Sequence, residues 1–141
     1  MILPIALTTT GAAAAVNFWL ALRIAQVRGK EKIMLGDGGH PALIARMRAQ
    51  LNFAEYTPIV LVLIALVEFA SGTSLWLWIV AAIYLLGRLL HAFGMDGWMP
   101  GRAIGIAATQ LIMLGLAGYA IYLGATYQPP ASTVFSVGRV R

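Results

Sequence analysis

The stretch RAQLNFAEYTPIVLVLIALVE, Arg48 to Glu68, decides the fold. Its second half, residues 58–67, holds no polar side chain at all. A run of that kind inside a longer apolar segment belongs in hydrocarbon rather than in water. Its first half is different. At about 100° per residue, Arg48, Asn52 and Glu55 fall within roughly 60° of one another, with Tyr56 bordering them. A polar stripe therefore stands at the mouth of a membrane span.

The rest of the chain agrees with that reading. Of its 141 residues, 60% are hydrophobic and only 11% are charged, whereas about a quarter of a soluble domain is charged. The sequence predicts an all-α integral membrane protein, a single domain over 1–128 with a loose tail over 129–141. Spans are expected over about 2–27, 42–69, 75–93 and 102–127. They are separated by the glycine-rich polar connection RGKEKIMLGDGGHP (Arg28–Pro41), the turn Ser71–Ser74 and the loop GMDGWMPG (Gly94–Gly101). Short connections give an antiparallel four-helix bundle, because only helices satisfy every backbone amide within a bilayer. Met1 to Leu22 has no basic n-region, so the first span is expected to be retained rather than cleaved as a signal.

The net charge of +5 is expected to set topology. Arg23, Arg28, Lys30, Lys32, Arg46 and Arg48 flank the first connection, and Arg88 and Arg102 flank the third. The turn between them has no Lys or Arg. The positive-inside rule then places both basic connections in the cytoplasm and both termini outside it. No soluble basic module is present, which argues against a nucleic-acid partner. Cysteine is absent, so thiolate metal sites, cysteine nucleophiles and disulfides are excluded. His40 and His91 make no metal constellation.

The functional candidates follow from cost. A carboxylate inside a span usually has a cationic partner and a role, so Glu55 is expected to face Arg48, Arg88 or Arg102. Tyr84, Arg88, His91 and Met95 recur along one face of the third span, and Arg102 opens the fourth, where helix N–H groups add positive potential. The expectation is one net-cationic cleft near the cytoplasmic side, suited to an anionic amphiphile. Single arginines such as Arg23, Arg28, Arg46 and Arg88 equally fit snorkelling toward headgroups. Glu68, near the far end of its span, fits an interfacial cap. Gly101 and Gly105 form a GxxxG pair that permits close helix approach.

The pattern Arg48-Ala49-Gln50-x-Asn52-x-x-Glu55-Tyr56-x-Pro58, with the basic connection and four spans, resembles the MAPEG family, named for membrane-associated proteins in eicosanoid and glutathione metabolism. NFAEY together with GRLLHAFG (Gly87–Gly94) looks most like a bacterial branch of that family whose chemistry is less defined, related to microsomal glutathione transferases. The resemblance implies a homotrimer in the bacterial inner membrane, with glutathione as cosubstrate bound between subunits. It implies that Arg28, Arg48, Gln50, Asn52, Glu55, Tyr56, Tyr84, Arg88 and His91 hold glutathione, while Arg102 stabilises its thiolate for attack on a hydrophobic substrate from the bilayer. His91 and Met95 stand where many catalytic members carry tyrosines; His91 can replace one hydrogen bond, and Met95 cannot replace a phenol. The alternative from the same family is a non-catalytic binding protein for an anionic lipid or fatty acid. A proton-coupled exporter would instead carry its carboxylate in the first span, which here has none before Arg23.

Overall fold

The computed structural model describes residues 2–128. The expected tail at 129–141, with Arg139 and Arg141, lies outside the described residues. Four helices follow in order: α1 (Pro4–Glu31), α2 (Pro41–Ser71), α3 (Leu75–Gly94) and α4 (Met99–Ala125). All four are long and apolar enough to cross a membrane, and no strand occurs among the described residues. The protein is an all-α membrane bundle, as its hydropathy predicts.

Proline and glycine punctuate it. Pro4 and Pro41 begin α1 and α2, and Pro100 is the second residue of α4; these are positions whose N–H would have no helical partner in any case. α1 runs four residues past its expected end. It stops where Lys32 turns left-handed (φ 54°) and Ile33 N donates to Arg28 O, which closes the last turn. α2 stops at Gly72 (φ 81°), whose N–H donates to Glu68 O at 2.9 Å.

Two buried clusters hold the bundle. Ile5, Val60, Ile64, Leu77, Tyr84 and Leu116 fill the end near the N-terminus, and Ala13, Leu20, Ala49, Phe53 and Ala92 fill the other. The ends are also joined by polar contacts. Glu68 is buried, and its carboxylate accepts from Ile5 N (3.0 Å), Ala6 N (2.8 Å) and Thr73 Oγ1 (3.0 Å). It is indeed a cap, but of a different helix: it satisfies the opening N–H groups of α1, for which Leu3 provides no side chain.

At the opposite end Arg23 does not snorkel. It is buried, bonds Ala92 O and forms an ion pair with Asp96, and its guanidinium lies 4.7 Å from the Trp19 ring centroid. Arg46 joins the cluster through Asp96 Oδ1 at 3.6 Å and Arg23 O at 2.8 Å. One aspartate in the α3–α4 turn thus draws α1 and α2 to it.

The α3–α4 seam depends on glycine. A Cβ on Gly105 would lie 2.6 Å from the Cβ of His91, and one on Gly94 would run into the backbone of Arg102. The GxxxG expectation holds, with Gly87 and Gly94 as its counterparts on α3. The seam matters for function because it sets the first turn of α4 against the last turn of α3.

Candidate functional site

That close approach brings Arg102 beside His91 and Met95. Across from them, the α2 stripe supplies Arg48, Asn52 and Glu55. Together with Leu51 and Ile106 these residues line a cleft of about 170 Å³. Two guanidiniums face one carboxylate in it. Arg48, Glu55 and Arg102 are exposed on the protomer, and among the described residues no ion pair within 4.0 Å includes any of them. The expected partner for Glu55 is therefore absent within one protomer, and both signs of charge remain available to a ligand.

His91 closes the back of the cleft. It is 3% exposed, and its Nδ1 has no hydrogen-bond partner. Arg88, one turn earlier, is 1% exposed; its Nη2 donates to Asn52 Oδ1 at 2.8 Å and its Nη1 to Thr109 Oγ1 at 3.2 Å. The Phe53 ring lies 5.6 Å from the guanidinium carbon. Arg88 is thus an internal cation, not one reaching for headgroups, and it fixes Asn52 in the cleft wall.

The remaining candidates do not all come to this cleft. Tyr56 lines an adjoining pocket with Arg88, Thr109 and Gln110. Tyr84 is wholly buried in the core, its hydroxyl 2.8 Å from Thr57 Oγ1, and it lines neither cavity. Gln50 and Arg28 lie on the other side of α2, where with Asn17 and Met47 they border a cleft against α1 of about 400 Å³. The reason is angular: Gln50 is two residues from Arg48, about 200° around the helix. Arg28 Nη1 donates to Ile33 O (3.5 Å) and Met34 O (3.3 Å), closing the α1 terminus, while Gln50 Nε2 reaches Asn17 Oδ1 at 3.5 Å.

Sequence reasoning passed over three residues that shape this region. Thr109 and Gln110 are polar side chains inside an apolar span, and that alone marks them. Asp96 is an acid in a short loop facing a strongly basic end, a complementarity visible in the charge pattern.

With this geometry in view, residues 6–122 match the MAPEG family, which takes in nearly all of the four helices. The chain belongs to the MAPEG family. It is also similar to inner membrane protein YecN of Escherichia coli (strain K12), 32% identical over 93 residues, covering 64% of this chain and 70% of that protein. YecN of Escherichia coli O6:H1 matches to the same extent. In this MAPEG chain the α2 signature residues divide by helix face: Arg48, Asn52 and Glu55 point to the α3–α4 cleft, and Gln50 points to α1.

Proposed function

We propose that this protein is a membrane-bound glutathione transferase or peroxidase that activates the glutathione thiolate toward hydrophobic electrophiles or lipid peroxides. The observation that carries the reading is the convergence of Arg48, Asn52, Glu55, His91 and Arg102 on one cleft with unpaired charges of both signs. Glutathione presents an ammonium, two carboxylates and a thiol. Glu55 suits the ammonium and Arg48 a carboxylate.

Arg102 lies in the first turn of α4, where the helix N-terminus adds positive potential. A thiol of ordinary acidity reacts as its thiolate, and lowering its pKa by one unit takes about 1.4 kcal/mol of selective stabilisation. One charge-assisted hydrogen bond from a guanidinium is of that size. The thiol proton goes to solvent. In conjugation the thiolate sulfur then forms a C–S bond as the electrophile's leaving group departs with the bonding electron pair. In peroxide reduction it attacks oxygen, the O–O bond breaks to release an alcohol, and a second glutathione displaces hydroxide from sulfur to give the disulfide. The protein's share is position and charge.

Arg28 and Gln50 enter through assembly. They face away from Arg48 and Glu55, so a peptide held by both sets fits a site between adjacent copies, as in a homotrimer. Only 17% of the α4 span window is buried in one protomer, which leaves a broad face for such a neighbour. The bacterial inner membrane, with the basic connections in the cytoplasm and the termini outside, is the location this reading implies.

The test is an ultraviolet difference titration with glutathione near the thiolate band, for wild type and Arg102→Ala. A saturable signal that is lost in the variant is expected. A flat spectrum with wild type overturns the transferase assignment and leaves the non-catalytic lipid-binding role.

A further inference from the structure

Next to the cleft, sharing Asn52 and Ile106 with it, a pocket of about 130 Å³ opens between α2 and α4; Tyr56, Arg88, Thr109 and Gln110 complete its lining. Arg88 is its charged group. Two of the guanidinium's five N–H hydrogens are used, one on Asn52 Oδ1 and one on Thr109 Oγ1. Its Nε–H is buried without a partner. The neighbouring side chains have little left to accept with. Thr109 Oγ1 accepts from Arg88 and donates to Gly105 O, and Tyr56 OH accepts from Gln110 Nε2 at 3.3 Å. What remains around the pocket is mostly donors: the amide hydrogens of Asn52, the second amide hydrogen of Gln110 and the Tyr56 hydroxyl hydrogen.

The chain's own acids are placed elsewhere. Of its five, Glu68 caps α1 and Asp96 pairs with Arg23. Glu31 lies 3.9 Å from His40, and Asp37 accepts from Gly39 N in the first connection. Glu55 lines the neighbouring cleft, and among the described residues no carboxylate lies within 4.0 Å of Arg88. The Phe53 ring face, 5.6 Å from the guanidinium carbon, is a weak counterpart. A guanidinium inside a span with only neutral partners is costly, and water satisfies its hydrogen bonds without neutralising it.

We propose that this pocket binds a small monovalent inorganic anion, a halide such as chloride, against Arg88, Asn52, Tyr56 and Gln110. One negative charge matches one guanidinium, whereas a dianion would bury an uncompensated charge of its own. The volume leaves room for the ion with a few waters. By answering the free N–H groups, the ion holds Arg88 in place, and through it Asn52 in the wall of the cleft. This site makes no use of the thiol chemistry, and its test contains no glutathione, so it stands or falls apart from the transferase reading.

The experiment is the chloride NMR linewidth of the full-length protein in neutral detergent, with gluconate holding ionic strength constant. Saturable, protein-dependent broadening is expected; bromide reverses it, and sulfate competes at least about tenfold more weakly. Gln110→Leu should weaken chloride about tenfold, the effect of losing one hydrogen bond to a charged group. Arg88→Met should abolish the broadening. Because that arginine is internal, melting supplies a second readout: chloride at ten times its dissociation constant should raise the wild-type midpoint by roughly 3–5 °C over gluconate, and less in Gln110→Leu. Arg48→Gln, in the neighbouring cleft, should leave the broadening as in wild type. Four results would overturn the proposal. They are no protein-dependent broadening, sulfate competing as well as bromide, broadening lost in Arg48→Gln but kept in Gln110→Leu, and chloride binding that appears only in Glu55→Gln. The third would put the ion on the exposed arginines, and the last would mean that a carboxylate from a second copy fills the pocket.

Discussion

Replacing Glu68 tests whether one buried carboxylate joins the first helix to the second. Its two oxygens accept three hydrogen bonds at 2.8–3.0 Å, two of them from the opening N–H groups of α1. In Glu68→Ala, Ile5 N–H and Ala6 N–H lose their acceptor inside the core, and each stranded donor costs about 1–3 kcal/mol. The loss is therefore about 4 kcal/mol, before any cavity contribution. Glu68→Gln is the sharper probe because it keeps the shape. Its amide turns one acceptor into a donor facing a donor, and the charge that favours a helix N-terminus disappears, for a cost of about 2 kcal/mol.

The readout should be local as well as global. Hydrogen exchange of the Ile5 and Ala6 amides is expected to speed up several hundredfold or more in Glu68→Ala, since 1.4 kcal/mol is about tenfold. The apparent melting temperature should fall by roughly 10 °C. Thr73→Val, which removes only the third bond, should cost about 1 kcal/mol and leave those two amides protected. If Glu68→Ala and Glu68→Gln melt like wild type and the amides exchange at the native rate, the carboxylate does not cap α1 and the reasoning is wrong.

Two other perturbations probe the frame around the cleft. Gly105→Ala puts a methyl group against Gly87 O and His91, and overpacking of this kind costs about 1–3 kcal/mol. Gly118→Ala, with nothing near its Cβ position, should melt within about 0.5 kcal/mol of wild type or above it. Equal melting of the two variants would refute the close α3–α4 seam. Asp96→Asn leaves buried Arg23 without its ion pair, and because the aspartate itself is partly exposed the expected loss is about 1–3 kcal/mol, whereas Arg23→Met in the same background should recover part of that. A double mutant no better than Asp96→Asn alone would show that the charge of Arg23 is not what the aspartate answers.

Much of the candidate site was legible before any coordinates. Arg48, Asn52 and Glu55 share a helix face because the 3.6-residue period alone puts them there, and their meeting with His91 and Arg102 in one cleft follows from polar stripes seeking each other in an apolar bundle. Gln50 and Tyr56 were harder. They belong to the same local pattern, yet periodicity does not say which neighbour packs on which side. Tyr84 shows the limit plainly: a tyrosine on the same face as Arg88 and His91 meets Thr57 one turn deeper and is sealed in the core.

What the sequence by itself determined is therefore what hydropathy, period and helix-breaking residues can encode: four membrane helices, their approximate ends, and the polar faces of each. Those are local properties, fixed by transfer free energy and backbone sterics along one segment at a time. The tertiary structure alone decided the rest. It made Glu68 the cap of a helix more than sixty residues away in sequence, made Arg23 and Arg88 internal, and divided the candidate residues among separate cavities. Each of those outcomes depends on which side chains meet across helices. A buried charge takes whatever partner the packing brings within reach, and no pattern within one helix records that choice.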